Sequence, residues 1–346
     1  MSATKGDCMS DRRAFFVKDR GVQPVLAGMN TNHTDMPLDL TNKNIAVLMG
    51  GPGSEREVSL KSGEGVVQAL RSLGAKVTAV VVDHAAFELP AGTEIAFNVI
   101  HGTFGEDGQL QRLLDARRVA FTGEGVAGSE LAIDKIATKR RLVEHGVPTA
   151  SFEVIAAGAQ PTRRLPFVIK APREGSSVGV YVVRDAAKLA SALADAAKFS
   201  AELLIEDFVE GRELTVGVVG DQVLPVIEIR PKRAGEFYDF ANKYNFLSPQ
   251  AAGADHLCPA PLDESATRRV QNAALAAHRA LGLEVYSRVD VLLAQDGTPF
   301  VLEINTIPGM TPVSLLPEAA KVAGISYPEL CRRIIELSLA RDARNP

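Results

Sequence analysis

Residues 286–305 read Tyr286-Ser287-Arg288-Val289-Asp290-Val291-Leu292-Leu293-Ala294-Gln295-Asp296-Gly297-Thr298-Pro299-Phe300-Val301-Leu302-Glu303-Ile304-Asn305, two apolar runs joined at Asp296-Gly297. An Asp-Gly pair between such runs is the strongest short-range signal for a β-hairpin with a two-residue loop. With Asp296 and Gly297 as that loop, Asp290 falls opposite Glu303, and Arg288 opposite Asn305, on one face. Opposed carboxylates with Cβ atoms about 5 Å apart repel unless a cation lies between them. Two carboxylates and an amide make an all-oxygen set that suits Mg2+ completed by substrate phosphates. The plain alternative is the solvated outer face of an ordinary antiparallel hairpin. The next segment, Thr306 to Pro312, reads as a rigid turn able to present backbone amides beside an ion.

Upstream, Ile45 to Met49, a glycine turn at Gly50 to Gly53, an amphipathic helix over about Val58 to Leu73 and a strand at Val77 to Val82 form a β-α-β unit. A strand at Ile95 to Ile100 then runs into His101-Gly102-Thr103-Phe104-Gly105-Glu106-Asp107-Gly108 and a helix carrying Leu110, Leu113 and Leu114. This predicts a doubly wound parallel sheet with its ligands at the carboxyl ends of the strands. A helix over about Gly128 to Glu144 and the stop at Gly146-Val147-Pro148 set a boundary near residue 148. Strands at Phe167 to Lys170, Val178 to Val183, Leu203 to Phe208, Glu213 to Val219 and Gln222 to Ile229, with a helix near Ala186 to Ala196, predict an antiparallel α+β region. A helix over Glu264 to Leu281 leads into the hairpin, and two helices separated by Gly324 to Pro328 close the chain.

Composition narrows the function classes. The 346 residues are 46% hydrophobic and 23% charged, ordinary for a globular protein. A net charge of -4 argues against nucleic acid or an anionic membrane as partner, which leaves small molecules. Cys8, Cys258 and Cys331 have no metal-ligand spacing and suit a reducing cytoplasm. No apolar run is long enough to cross a membrane, and residues 1–42, without periodic apolar spacing, read as a disordered leader.

Three loops carry candidate chemistry. Gly50-Gly51-Pro52-Gly53 fails the dinucleotide fingerprint, because Arg56 stands where its third glycine belongs. Glu55 there would repel a pyrophosphate but could receive an ammonium; alternatively it simply favours the helix dipole. The loop after Lys170, Ala171 to Gly179, is rich in glycine and serine and suited to covering phosphates, though without the spacing of a P-loop. Glu206 to Glu213 joins two strands and is a charged linker unless it meets a nucleotide. His101, between a strand and glycines, is the one histidine placed in a site; His33, His84, His145, His256 and His278 are assigned nothing.

Together and in this order, these segments resemble the ATP-grasp superfamily and, within it, the D-alanine–D-alanine ligase family. The resemblance runs from Asn44 to Leu339 and rests on Gly50-Gly51 through Ser59, His101 through Gly108, Arg173 through Gly179, Phe237-Tyr238-Asp239 with Lys243-Tyr244, Arg288-Val289-Asp290 and Glu303 through Thr311. It implies an ATP-grasp fold after a parallel-sheet domain, divided as 43–148, a central α+β part at 149–222 and a C-terminal part at 223–346 with the metal and substrate site. It implies ATP-dependent joining of two D-alanines through an acyl phosphate, for cell-wall precursors, by a cytoplasmic homodimer. Asp290, Glu303 and Asn305 would hold two Mg2+, with Mn2+ able to substitute. Lys135, Lys170, Glu206, Asp207, Val209, Glu213 and Lys243 would bind ATP. Glu55 would take the first ammonium, linked to Ser176 and Tyr244; His101 would also contact substrate. Arg288 and Gly309 would meet the oxyanion, and Ser314 and Leu315 the second carboxylate. Tyr244 favours an amine over D-lactate as acceptor; D-lactate or D-serine is the alternative. The chain departs from the family pattern at Phe240 and at Ala241-Asn242. A non-catalytic nucleotide-binding descendant of the fold would be marked by a lost metal ligand or oxyanion arginine, and neither is lost.

Overall fold

The computed structural model describes residues 37–175, 178–232 and 253–344. Its first sheet is parallel, in the order β2 (Lys76–Val82), β1 (Asn44–Gly50), β3 (Ile95–Asn98), β4 (Ala120–Phe121). β1 is buried from Ile45 onward, as a central strand covered on both faces must be. Helix α1 (Arg56–Ser72) and the closing helix α8 (Tyr327–Arg344) cover one face through Val66, Leu70, Ile334 and Ile335. The other face receives Leu110 and Leu114 of α2 (Gln109–Ala116). Leu38–Asn42, read from composition as the end of a leader, belongs to this body: Leu40 is buried in the core and the Leu38 N–H donates to Glu336 at 2.6 Å. One leucine in the right place outweighed a polar neighbourhood.

The helix expected over Gly128 to Glu144 is two helices, α3 (Val126–Ile133) and α4 (Lys135–Glu144). Asp134 breaks it by turning extended and accepting the N–H groups of Ile136 and Ala137, both at 3.0 Å. Such a side chain competes with the helix for its backbone donors, so aspartate favours a cap over an interior position. The strand expected over Gln222 to Ile229 is likewise split, into β10 (Gln222–Val223) and β11 (Ile227–Pro231), around Pro225.

A four-stranded antiparallel sheet follows, ordered β5 (Phe152–Ala156), β8 (Glu202–Asp207), β6 (Phe167–Lys170), β7 (Val180–Val183), and backed by α5 (Leu189–Ala196). The third sheet runs β12 (Ala254–Leu257), β11, β9 (Gly211–Val219), β13 (Tyr286–Ala294), β14 (Pro299–Asn305), with β10 on β9. Period-two alternation divides β13. Val289, Val291 and Leu293 pack with Val270 and Ala274 of α6 (Glu264–Ala280), and Arg288, Asp290 and Leu292 take the opposite face. Neither β4, β5 nor β12 was expected from the sequence.

The hairpin keeps the predicted pairs, Asp290 opposite Glu303 and Arg288 opposite Asn305, but not the predicted loop. Ala294 N–H donates to Thr298 O at 3.0 Å and Gly297 N–H to Ala294 O at 2.9 Å, so three residues, Gln295 to Gly297, make the turn. Only Gly297 has positive φ, at 83°, whereas a two-residue loop of this class needs Asp296 there as well. The extra loop residue slips the register, setting Val291 against Val301, and a bulge at Leu302 restores it before Glu303.

Candidate active site

In the first sheet the chain leaves β1 in one direction and β3 in the other, so their following loops open at a switch point. Those loops and the turn after β14 enclose a cavity of about 320 Å3 lined by Glu55, His101, Arg288, Gly309, Ser314 and Leu315, among others. Every substrate residue implied by the resemblance therefore borders one space. A Cβ placed on Gly102 would lie 3.0 Å from Glu55 Oε2, and one on Gly175 3.4 Å, so the Glu55 carboxylate sits between the two glycine loops. A Cβ on Gly309 would lie 2.9 Å from Ser314 Oγ, so a side chain there would displace that hydroxyl. Ser314 Oγ in turn accepts the Thr311 N–H at 3.1 Å and holds Thr311 Oγ1 at 2.7 Å. Ser314 precedes α7 (Leu315–Val322), so the start of that helix faces the cavity and favours an anion there.

Both nitrogens of His101 are engaged. Nδ1 lies 2.8 Å from Ile307 O, which only accepts, so Nδ1 carries the proton; Nε2 lies 3.2 Å from Ser62 Oγ. Ser62 Oγ also accepts the Met310 N–H at 3.2 Å. Burial holds the imidazole below its ordinary pKa, against the charge of Glu55. Beside it, Glu106 accepts Gly102 N–H at 2.8 Å and Ile307 N–H at 2.9 Å, tying the loop after β3 to the turn after β14. Burial, reinforced by Glu55, pushes its carboxyl up from 4.5 to about 7. Because the folded pKa exceeds the unfolded one, the contribution of Glu106 to stability is full below pH 4.5, declines towards pH 7 and is constant above. Melting curves of the wild type and Glu106→Gln are therefore expected to separate further in favour of the wild type as pH falls from 7 to 4.5. A separation independent of pH would contradict the assignment.

A second cavity, of about 1180 Å3, lies between the four-stranded sheet and the hairpin sheet. Lys170, Glu206, Asp207 and Val209 border it from one side, and Glu213, Asp290 and Glu303 from the other. Lys135, Glu174 and Glu303 line both cavities, so the two spaces meet there. The break at Asp134 anchors the glycine loop over this junction. Lys135 Nζ donates to Glu174 O at 2.7 Å, Lys135 N–H to Pro172 O at 2.9 Å, and Asp134 holds Arg173 at 3.1 Å.

Glu206 borders this cavity but is not on an open connector. It ends inside β8, 2% exposed, with one oxygen 2.6 Å from Lys139 Nζ and the other 2.6 Å from Lys170 Nζ. Burial would raise its pKa, but the two lysines outweigh that and hold it below the ordinary value. Lys139, pushed down to about 8 by burial, was missed in the sequence. A signal existed: Lys135 and Lys139 lie four residues apart on the buried face of α4. Glu106 was quoted in a motif without a role. Glu124, whose carboxylate accepts the N–H groups of Glu284 at 3.0 Å, Val285 at 2.8 Å and Tyr286 at 3.1 Å, gave no signal at all. It fixes the start of β13, and hence the position of Arg288 and Asp290.

On the hairpin itself, Arg288 donates to both oxygens of Asp290, Nε to Oδ1 at 2.9 Å and Nη2 to Oδ2 at 2.8 Å. Thr215 adds a bond to Asp290 Oδ1 at 2.6 Å, and Asn305 Nδ2 lies 3.3 Å from Oδ2. Glu303 Oε2 is 3.4 Å from Lys135 Nζ. Among the described residues no three His, Cys, Asp or Glu gather around a point suited to a metal ion. Two carboxylates and the Asn305 amide nonetheless fit a hard cation that draws its remaining oxygens from a phosphate substrate. Ser176, Lys243 and Tyr244, expected in the site, lie outside the described residues.

Two antiparallel sheets facing across a cleft, with the loops of a parallel sheet bordering the adjoining cavity, are the ATP-grasp arrangement expected from the motifs. Residues 142–336 match the family model described as D-ala D-ala ligase C-terminus. A D-alanine--D-alanine ligase of Methylacidiphilum infernorum is 44% identical over 299 residues, 86% of this chain and 96% of the relative. One from Citrifermentans bemidjiense is 45% identical over 305 residues, 86% and 97% of the respective chains. The crystal structure of D-alanine--D-alanine ligase from Bacillus anthracis superimposes with a TM-score of 0.76 at 30% identity, covering 88% of this chain and all of that one. The same ligase complexed with ATP gives 0.75 at 29% identity. The chain belongs to the D-alanine–D-alanine ligase family. No helix among the described residues is long and apolar enough to cross a membrane.

Proposed function

We propose that this protein joins two D-alanines into D-alanyl-D-alanine at the expense of ATP. The observation that carries the reading is the junction of the two cavities at Lys135, Glu174 and Glu303. A nucleotide in the larger space would direct its terminal phosphate to that junction, where a carboxylate from the smaller space could attack it. Lys135 and Lys170 supply positive charge for the phosphates, and Val209 and Glu213 border the nucleoside end. Glu55, half-buried between the glycine loops, receives the ammonium of the first D-alanine and turns its carboxylate inward.

The second amine displaces phosphate from the acyl phosphate. Arg288 and the Gly309 N–H meet the oxyanion that develops, in a space where preset charge is worth more than in water. The helix start at Ser314 and Leu315 holds the second carboxylate. His101 and Glu106 act from behind, holding the turn that carries Gly309 through Ile307 and Met310. Asp290, Glu303 and Asn305 would hold Mg2+, which when bound neutralises charge on the transferred phosphoryl group. On the family resemblance we also propose a cytoplasmic homodimer.

Acceptor choice is tested by supplying D-alanine, D-lactate and D-serine over a pH series. D-alanine is expected to be preferred, with a rate that rises with pH as its amine loses its proton. Faster turnover with D-lactate, without that rise, would overturn the choice of acceptor.

A further inference from the structure

His256 has no part in the chemistry above. It lies on β12 with Ala254, and both line the cavity of Arg288, Gly309 and Ser314. Its Nδ1 is 3.1 Å from Glu318 Oε2, with side-chain exposures of 25% and 30%. A carboxylate oxygen only accepts, so His256 donates. Glu318 belongs to the first turn of α7, the turn whose N–H groups open towards the cavity, and its own N–H is bonded to Ser314 O at 2.9 Å. Pro317 supplies no N–H, so this helix start has fewer donors than most.

Two anions thus compete for one short stretch of positive potential: the Glu318 carboxylate and the carboxylate of an incoming acceptor. Like charges sharing a helix start repel, and each weakens the hold on the other. The His256 bond directs Glu318 towards β12. We propose that His256 is a positioning residue of the acceptor end, holding Glu318 so that the start of α7 stays available to the acceptor carboxylate. The inference rests on the ligase reading and extends it to a residue and a charge pair.

The test follows initial rates against D-alanine at saturating ATP, fitted with two sequential D-alanine constants, for wild type, His256→Ala, His256→Gln and His256→Ala/Glu318→Gln. His256→Ala is expected to raise one constant by about 2- to 5-fold, the range of a helix-terminus charge effect. The other constant and the KM for ATP should stay put. Glutamine, which keeps a donor, should restore part of the loss, and Glu318→Gln in the alanine background should restore most of it. Parallel changes in both D-alanine constants and the ATP constant, or failure of Glu318→Gln to restore, overturn the inference while wild-type turnover leaves the ligase reading intact. A wild type that forms no dipeptide overturns the ligase reading, and this inference with it.

Discussion

Replacement of Arg288 by lysine is expected to lower dipeptide formation by about 10²- to 10³-fold, the usual loss when a preset oxyanion donor is removed. The guanidinium forms two parallel bonds to Asp290 from a side chain only 12% exposed, and its charge also bears on His101 and Glu106. Lysine keeps the charge but not the planar fork, so it cannot hold both Asp290 oxygens and still point into the cavity. Removing the charge altogether is a harsher test, because Asp290 would then be a nearly buried carboxylate without its cation, at a cost of about 3–5 kcal/mol. Arg288→Lys therefore isolates chemistry from folding. Phosphate release measured beside a thermal melt checks it; a rate within about tenfold of wild type would remove Arg288 from the chemical step.

Glu303→Ala is expected to abolish turnover while leaving the fold in place. Glu303 borders both cavities, and its side chain is 26% exposed, with Lys135 at 3.4 Å. A partly exposed pair of that length contributes about 1 kcal/mol or less to stability. Loss of a metal-binding carboxylate, by contrast, removes several kcal/mol of transition-state stabilisation, on the order of 10³-fold in rate or more. Rates followed with Mg2+ titrated over a wide range check the assignment. Near-normal activity in the variant would sink it, and so would a loss of activity that follows a loss of the fold.

The readable parts of this protein were those governed by short-range rules. Alternating apolar residues on either side of Asp296-Gly297 placed Asp290 against Glu303, and that pairing holds. It holds by two compensating departures, a three-residue loop and the bulge at Leu302, neither visible in a pattern that counts only loop residues. The break at Asp134 was missed for a related reason: helical spacing continued on both sides, and only the capping chemistry of one aspartate interrupts it. Long-range pairings were the least legible. Glu206 reads as one more acid in a charged connector until two lysines, from α4 and β6, close on it. Glu124 acts on the start of β13 at Tyr286, 162 residues away. Arg288 changed least in importance and most in setting, since its first partner here is Asp290 rather than a reacting atom.

The most direct test of the account uses D-alanine with heavy oxygen in its carboxylate, incubated with ATP and Mg2+. If the carboxylate attacks the terminal phosphate at the junction of the two cavities, each D-alanyl-D-alanine formed leaves one labelled oxygen in the phosphate released. Phosphate free of label, or turnover with other amino acids but none with D-alanine, would contradict it.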